Sequence, residues 1–307
     1  MTATGRRFET VGYDVTAGIA TITLDRPTRR NAFTLGMGID LLDALDEVDR
    51  DDDVRAVVVA GSGRDFCVGA DLDEGFVADP AISPIHREFI ERTGTVEGLP
   101  RDGGGVLALR IAGCTKPVVA AVRGAAVGVG ATMTLPMDVR VAGESTRFGF
   151  VFARRGIVPD ATASWYLPRI VGIATALEWF VTGRLVDSAE ALAARLVTHR
   201  VPDDEVEDRA RSIAEEIVAN TSPVAVAAGR RMLWEAMSMP HPWAAHVLET
   251  VTIAELVEGP DVQEGVAAFR ERRPARFGST SADVPAVVPA WSERPTDASH
   301  GASDGSA

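Results

Sequence analysis

The first regular pattern in the chain is an alternation of apolar and polar residues that predicts a pair of β-strands. Residues 8–15 and 19–25 form two short runs joined by a Thr-Ala-Gly turn, and the second run alternates residue by residue. An alternation of period two is typical of a half-buried hairpin. Two continuous apolar runs, 54–60 and 118–122, end in glycines and predict buried strands.

Apolar residues at helical spacing follow Thr34, a residue type that caps helix N-termini, and predict a helix up to about residue 50. Residues 75–105 carry prolines, one helical piece over 85–92 and three consecutive glycines at the end. A segment of this kind inside a domain is typical of a functional wall or lid. Helical spacing resumes at 106–112.

Strands, glycine turns and helices that alternate in this way predict an α/β architecture. We expect a core over residues 1–174 and a mainly helical region over 175–277. Residues 278–307 are rich in Ser, Ala, Pro, Asp and Gly, which predicts a disordered tail. The helices expected after the core are 176–182, 188–195, 205–220, 223–237, 244–256 and 260–272.

Composition narrows the function classes. With 307 residues, 46% of them apolar, the chain can bury a substantial core, and its net charge of −13 argues against a nucleic-acid partner. Its apolar runs are shorter than a membrane span and its N-terminus lacks a signal-peptide pattern, so we expect a cytoplasmic protein without a membrane partner. Cys67 and Cys114 fit neither a disulfide framework nor a zinc spacing, so we expect buried thiols and no metal.

The glycine-rich stretch after the strand at 118–122 is the most informative part of the chain. Gly124, Gly128 and Gly130 lead into an uncharged segment, an arrangement that can aim backbone N–H groups at a negatively charged atom. It is not a dinucleotide fingerprint, because Met133 stands where the third glycine belongs.

Four motifs together resemble the crotonase superfamily, the enoyl-CoA hydratase/isomerase family. They are DRPTRRNAF at 25–33, RDFCVGADLDE at 64–74, the stretch KPVVAAVRGAAVGVGATMTLPMDVRVA at 116–142, and FRERRPARF at 269–277. The resemblance implies a spiral of ββα turns followed by helices that mediate trimerisation. It also implies an acyl-CoA substrate, a homotrimer or a hexamer, and no permanently bound cofactor, since coenzyme A arrives with the substrate.

By motif position, the resemblance assigns the backbone N–H groups of Ala70 and Val129 to an oxyanion hole for the thioester carbonyl. Hydratases of the family carry two catalytic glutamates, and the matching positions here are Thr132 and Phe152. Neither side chain can replace a carboxylate in proton transfer. Addition of water by the usual pair of glutamates is therefore in doubt. The Thr132 hydroxyl could orient a water or a substrate hydroxyl, or it could bond the backbone of its own helix.

Asp160 matches the position of an aspartate that isomerases of the family use. Apolar neighbours, with Phe152 and Trp165 as pocket residues and Ile157 and Val158 as further walls, would raise the pKa of its carboxyl and make it a better base. The alternative is that Asp160 caps the helix that follows Pro159-Asp160-Ala161-Thr162.

Coenzyme A phosphates require positive charge, and the resemblance points to two places for it. The expected contacts are Arg26, Arg29, Arg30, Asp71, Leu72 and Arg273. Many relatives carry a lysine one residue after this GADL motif, where Asp73 stands here. We therefore expect an enoyl-CoA isomerase acting through Asp160, with an atypical enoyl-CoA hydratase or an inactive acyl-CoA-binding protein as alternatives.

Overall fold

The structure, a computed structural model, describes residues 8–74, 79, 81 and 83–290. Its strands are β1 Val11–Thr16, β2 Ile19–Leu24, β3 Ala56–Gly61, β4 Thr95–Val96, β5 Leu99–Pro100, β6 Val118–Val122, β7 Ala125–Val127, β8 Val139–Gly143, β9 Arg147–Gly149, β10 Leu185–Asp187 and β11 His199–Val201. Its α-helices are α1 Leu35–Arg50, α2 Pro84–Thr93, α3 Gly103–Gly113, α4 Val129–Thr132, α5 Ala163–Val171, α6 Ile173–Thr182, α7 Ser188–Ala193, α8 Val206–Asn220, α9 Pro223–Ala236, α10 Pro242–Val257 and α11 Pro260–Glu271.

A six-stranded sheet in the order β1-β2-β3-β6-β8-β11 forms the centre of the fold. β1 and β2 form the predicted antiparallel hairpin, and the remaining neighbours are parallel. Strands β3 and β6 are buried along their whole length, as expected for continuous apolar runs in a parallel sheet covered on both faces. A smaller sheet, β10-β9-β7, carries the chain toward the glycine turn before α4.

Side-chain caps mark the starts of α1 and α3. The Thr34 hydroxyl accepts a hydrogen bond from the Met37 N–H at 3.1 Å, which confirms the predicted cap of α1. Helix α3 begins at Gly103, so the expectation that Gly103, Gly104 and Gly105 are irregular was wrong. The Asp102 carboxylate accepts the N–H groups of Gly104 and Gly105 at 3.1 and 2.7 Å, and this cap offsets the low helix propensity of glycine.

The C-terminal half is largely helical, as predicted. Helix α8 packs against the central sheet through Ala210 and Ala214. Arg230 of α9 is buried and bonds the Asp138 carboxylate at 2.6 Å, and it also donates to three carbonyls at the C-terminal end of α3, including that of Cys114. One arginine therefore ties the helical region to the sheet and to α3.

The tail predicted to be disordered from residue 278 is, up to residue 290, folded onto the body. Ser281 and Val288 are 4% and 3% exposed, and the Ser281 hydroxyl lies 3.0 Å from that of Thr115. Three buried residues in this segment, Ser281, Pro285 and Val288, hold it against the body. Residues 291–307 lie outside the described part of the chain.

Two further predictions concern chemistry. Cys67 and Cys114 are buried, and burial raises the pKa of each thiol to about 12, so both are inert as nucleophiles. Among the helices that the structure describes, none combines the length and the apolar character needed to cross a membrane.

Candidate active site

Two glycine turns from separate parts of the chain meet at the edge of the small sheet. Gly69 and Gly128 have φ angles of +105° and +54°, which favour glycine, and a Cβ on Gly128 would lie 3.7 Å from the Gly69 Cα atom. Gly130 lies against the Cys67 carbonyl, where a side chain would collide. The resemblance paired the N–H groups of Ala70 and Val129, which directly follow Gly69 and Gly128, and the backbone brings these two turns together.

The turns present two free backbone donors. Phe33 exchanges hydrogen bonds with the residues on either side of Ala70, at 2.8 and 2.7 Å, so in this parallel bridge the Ala70 N–H points to the opposite side. Val129 is the first residue of α4, where N–H groups have no intrahelical acceptor. Within the described ranges neither N–H has a protein acceptor, as an oxyanion hole requires.

Asp160 reaches this site from a strained turn. Ala161 and Thr162, which follow it, both have left-handed backbone angles, with φ of +50° and +55°. The Thr132 hydroxyl donates to Asp160 Oδ1 at 2.6 Å and lies 3.2 Å from the Gly128 carbonyl. This hydrogen bond links the Asp160 carboxylate to α4, the short helix whose first residue is Val129.

The second Asp160 oxygen faces the N-terminal end of α3. A Cβ on Gly104 would lie 3.4 Å from Asp160 Oδ2 and 3.1 Å from the Val129 side chain, so a side chain at this position would be tightly packed against both. Burial raises the pKa of Asp160 from 3.8 to about 7, Thr132 lowers the pKa, and the negative charge of Asp102 raises it. Asp160 can therefore both accept and return a proton near neutral pH.

The capping alternative for Asp160 is wrong, because α5 begins at Ala163 and has no side-chain cap. The expected walls differ as well: Ile157 and Val158 are 36% and 76% exposed. The Asp160 carboxylate is bonded to Thr132, whereas the side chains of Ile157 and Val158 remain exposed.

The two aromatic pocket candidates lie in different places. Phe152 is buried and lines an apolar cavity of about 180 Å³ together with Pro159 and Ala163, which flank the Asp160 turn. Trp165 instead packs in an aromatic cluster with Tyr166 and Trp234, at ring-centroid distances of 4.7 and 5.6 Å. Phe152 therefore lies next to the Asp160 turn, whereas Trp165, a residue of α5, packs against Trp234 of α9.

The residues expected to bind coenzyme A form one cluster with two outliers. Asp71 accepts hydrogen bonds from Arg26 and Arg29 at 3.0 and 2.9 Å, and Arg29 also pairs with Asp73. Leu72, 65% exposed, lies between the two acids in sequence. Asp73 thus forms an ion pair at the position of the family's lysine.

Arg30 and Arg273 are the outliers. Arg30 turns to Asp65 at 2.7 Å, on the far side of the first glycine turn. Arg273 pairs with Glu264 at 2.6 Å and with Glu271, at the end of α11. The structure does not bring either arginine to the cluster around Asp71.

Sequence reasoning missed Asp102, the residue that joins α3 to the Asp160 turn. Its Oδ2 accepts the Ala161 N–H at 3.1 Å in addition to the Gly105 N–H of its own helix. The signal was an Asp, a common N-cap residue, a few residues before the helical spacing at 106–112. The three glycines between them do not look helical in sequence, so the cap was not recognised. Within the described residues, no group of three His, Cys, Asp or Glu side chains could hold a metal ion.

Comparisons with known proteins identify the family. The family model for enoyl-CoA hydratase/isomerase matches residues 14–280. The enoyl-CoA hydratase ACTT3 of Alternaria alternata is 41% identical over 264 residues, which cover 86% of this chain and 84% of that protein. The 1,2-epoxyphenylacetyl-CoA isomerase of Escherichia coli K12 is 30% identical over 269 residues, covering 86% and 96%.

Solved structures give the same answer for the fold. An enoyl-CoA hydratase from Bacillus anthracis superposes with a TM-score of 0.76 at 27% identity, covering 88% of this chain and 99% of that chain. DspI of Pseudomonas aeruginosa superposes with a TM-score of 0.79 at 26% identity, covering 90% and 100%. The match to the family model over most of the chain, the relatives and the paired glycine turns together place this protein in the enoyl-CoA hydratase/isomerase family, with the crotonase fold.

Proposed function

We propose that the protein is an acyl-CoA enzyme that moves a carbon–carbon double bond through a thioester enolate. The observation that carries the proposal is the Asp160 carboxylate, attached through Thr132 to the turn of helix that begins with the Val129 N–H. Proton removal next to a conjugated thioester is feasible only if the developing enolate oxygen is stabilised. The N–H groups of Ala70 and Val129 provide two such donors.

In the proposed reaction, Asp160 removes a proton from the α or γ carbon of the acyl group. The electron pair moves toward the thioester carbonyl, whose oxygen becomes an enolate that accepts the two N–H groups. The protonated Asp160 then returns the proton at a different carbon, so that the double bond has moved and no water has been added. A carboxyl with a pKa of about 7 suits both steps, since it is neither too weak a base nor too weak an acid at neutral pH.

An atypical hydratase is the second candidate, favoured by the name of the relative from Alternaria alternata and that of the Bacillus anthracis structure. Water addition needs a second group to position and deprotonate the water. Phe152 fills one expected glutamate position with an apolar ring, and the Thr132 hydroxyl is already bonded to Asp160. A third reading, an acyl-CoA-binding protein without turnover, follows if Asp160 transfers no proton.

For the coenzyme we propose the cluster of Arg26 and Arg29 next to Leu72, where phosphate oxygens would compete with the carboxylate of Asp71 for the guanidinium groups. We also propose a homotrimer or a hexamer. Large apolar side chains of the C-terminal helices stay exposed in the single chain, which a partner copy would cover: Leu233, Trp243, Ile253 and Phe269, at 74, 67, 59 and 85% exposure.

The test is a panel of enoyl-CoA thioesters in deuterated water, scored by NMR for deuterium uptake, for double-bond migration and for 3-hydroxyacyl product. We expect migration with deuterium uptake, and a loss of at least about a hundredfold in Asp160→Asn. Asp52→Asn, in the exposed turn after α1, is the matched control for the substitution. Hydration at a comparable rate would favour the hydratase, and saturable binding without exchange would favour the inactive protein.

A further inference from the structure

The N-terminal end of α3 lies against the Asp160 turn, and one side chain joins the two. Asp102 accepts three backbone hydrogen bonds: from Gly104 at its Oδ1, and from Gly105 and Ala161 at its Oδ2. The bonds from the two glycines cap its own helix. The bond from Ala161 crosses 59 residues of chain to the residue directly after Asp160.

That third bond falls where the backbone is strained. Ala161 and Thr162 are consecutive non-glycine residues at positive φ, and such residues cost roughly 1–3 kcal/mol each, so that the surrounding structure must hold them in place. Thr162 forms the start of α5, but Ala161 precedes the helix and gains no hydrogen bond from it. Its N–H is bonded to Asp102, which therefore fixes the turn at the point where the chain leaves Asp160.

The packing of α3 against the Asp160 turn also depends on Asp102. Three groups surround the position that a Cβ on Gly104 would occupy. They are the Val129 side chain, the Ala161 Cβ and Asp160 Oδ2, at 3.1, 3.3 and 3.4 Å from that position. The cap made by Asp102 keeps the glycines helical, and glycine in turn allows α3 to approach both the oxyanion helix and the carboxylate.

We propose that Asp102 is a positioning residue for catalysis, which holds the Asp160 turn against α3 and so aims the Asp160 carboxylate at the substrate carbon. This inference rests on the proposed function, since it assigns a role relative to Asp160. Asp102 itself transfers no proton, because both of its oxygens are occupied by backbone N–H groups.

Asp102 also acts on the charge of the site. The groups that face Asp160 are the Thr132 hydroxyl from α4, the Asp102 carboxylate from α3 and the buried Cys67 thiol from the first glycine turn. The negative charge of Asp102 raises the pKa of Asp160, whereas the Thr132 hydrogen bond lowers it. The outer side of Asp102 is exposed, so solvent screens this effect and the shift on removing the charge is modest.

Two variants separate capping from positioning. Asp102→Ser keeps an N-cap oxygen for α3 but is too short to reach Ala161, and Asp102→Asn keeps the length but removes the charge. The matched control is Asp187→Ser, because Asp187 caps α7 through the Glu190 N–H at 2.8 Å and lies outside the site. We expect similar losses of thermal stability in the two serine variants, since in each of them a serine replaces an N-cap aspartate.

Two readouts decide the matter. Asp102→Ser should lose at least about tenfold in kcat with KM changed less than about threefold, while Asp187→Ser keeps the wild-type kcat. In protein labelled with ¹³C at the aspartate carboxyl carbon, the Asp160 signal, assigned by its absence in Asp160→Asn, should titrate at lower pH in Asp102→Asn than in wild type.

The inference fails if Asp102→Ser and Asp187→Ser have the same kcat, or if the Asp160 titration does not move in Asp102→Asn. The proposed function fails separately, if wild-type protein neither exchanges nor isomerises any thioester. In that case the carboxyl titration still shows whether Asp102 acts on Asp160, because it needs no turnover.

Discussion

Replacing Asp160 by asparagine should stabilise the protein, and the gain should appear only as the pH rises. Burial raises the pKa of Asp160 from 3.8 to about 7, so the folded protein binds this proton more tightly than the unfolded chain. Below about pH 4 the carboxyl is protonated in both states and costs nothing. Between pH 4 and pH 7 the unfolded chain ionises first, and the folded state loses stability.

The size of the effect follows from the two pKa values. The difference between 3.8 and about 7 corresponds to about 4 kcal/mol once the pH exceeds both, which is the ceiling for the cost of carrying this charge in the folded state. Asparagine does not ionise, and its carbonyl can still accept the Thr132 hydroxyl. Whatever constant offset the amide introduces, the stability difference between variant and wild type should grow by at least about 1 kcal/mol from pH 5 to pH 8.

The assay is urea unfolding followed by tryptophan fluorescence at pH 5, 6, 7 and 8, at one fixed protein concentration because subunit association would add to stability. Asp65→Asn is the matched control with a shift of opposite sign. Arg30, Arg64 and the Ala125 N–H bond Asp65, and the pKa of its carboxyl falls to about 2.

The lowered pKa of Asp65 stabilises the folded state above pH 3.8, and this stabilisation disappears only as the pH falls toward 2. The loss of unfolding free energy in Asp65→Asn should therefore be constant from pH 5 to pH 8. A stability difference for Asp160→Asn that is equally flat over this range would refute the raised pKa, and with it the argument that burial tunes this base. Activity gives an independent check, since the same variant should be inactive where it is most stable.

Three further variants test other parts of the site. Thr132→Val removes the donor that lowers the pKa of Asp160, so the rising limb of the pH–rate profile should move to higher pH and the rate at pH 7 should fall about five- to tenfold; an unmoved limb would contradict this. Arg230→Met removes the donor that the Asp138 carboxylate and three carbonyls share and should cost about 3–5 kcal/mol in urea unfolding, and a loss below about 1 kcal/mol would show that these bonds are dispensable. Gly128→Ala, at φ +54°, should lower kcat/KM at least about a hundredfold by moving the Val129 N–H, whereas Gly172→Ala, at φ +81° in open space, reports strain alone; equal kinetics in the two would argue against the oxyanion role.

Local signals in the sequence were enough for several elements, and the family resemblance assigned the two backbone donors. Thr34 capped its helix as predicted, the alternation in residues 19–24 gave the hairpin, and the glycine turns at Gly69 and Gly128 met as their motifs implied. In each case the deciding interaction lies within a few residues, or the residue type itself sets the backbone conformation.

The failures concern contacts between segments far apart in the chain. Three glycines in a row favour a loop, and the helix at Gly104 depends on the Asp102 cap, which also bonds the distant Ala161 N–H. Val158 and Asp160 are two residues apart, yet Val158 is exposed and Asp160 is half-buried, with its carboxylate bonded to Thr132, which lies 28 residues earlier in the chain. Likewise, the ion pair between Arg29 and Asp73 spans 44 residues and changes what the arginine can offer a phosphate.

Helix α3 links these features into one unit, and its two ends have different functions. At its N-terminal end it meets a carboxylate that costs at most about 4 kcal/mol to ionise and a turn strained at two residues, both unfavourable for stability. At its C-terminal end, Arg230 anchors it through three carbonyls and Asp138. The eleven residues of α3 span about 16 Å, so the anchor lies well away from the chemistry. A site that stores this much unfavourable energy stays aligned only if the element against it cannot shift, and for that reason we expect substitutions at the buried anchor to lower kcat as well as stability.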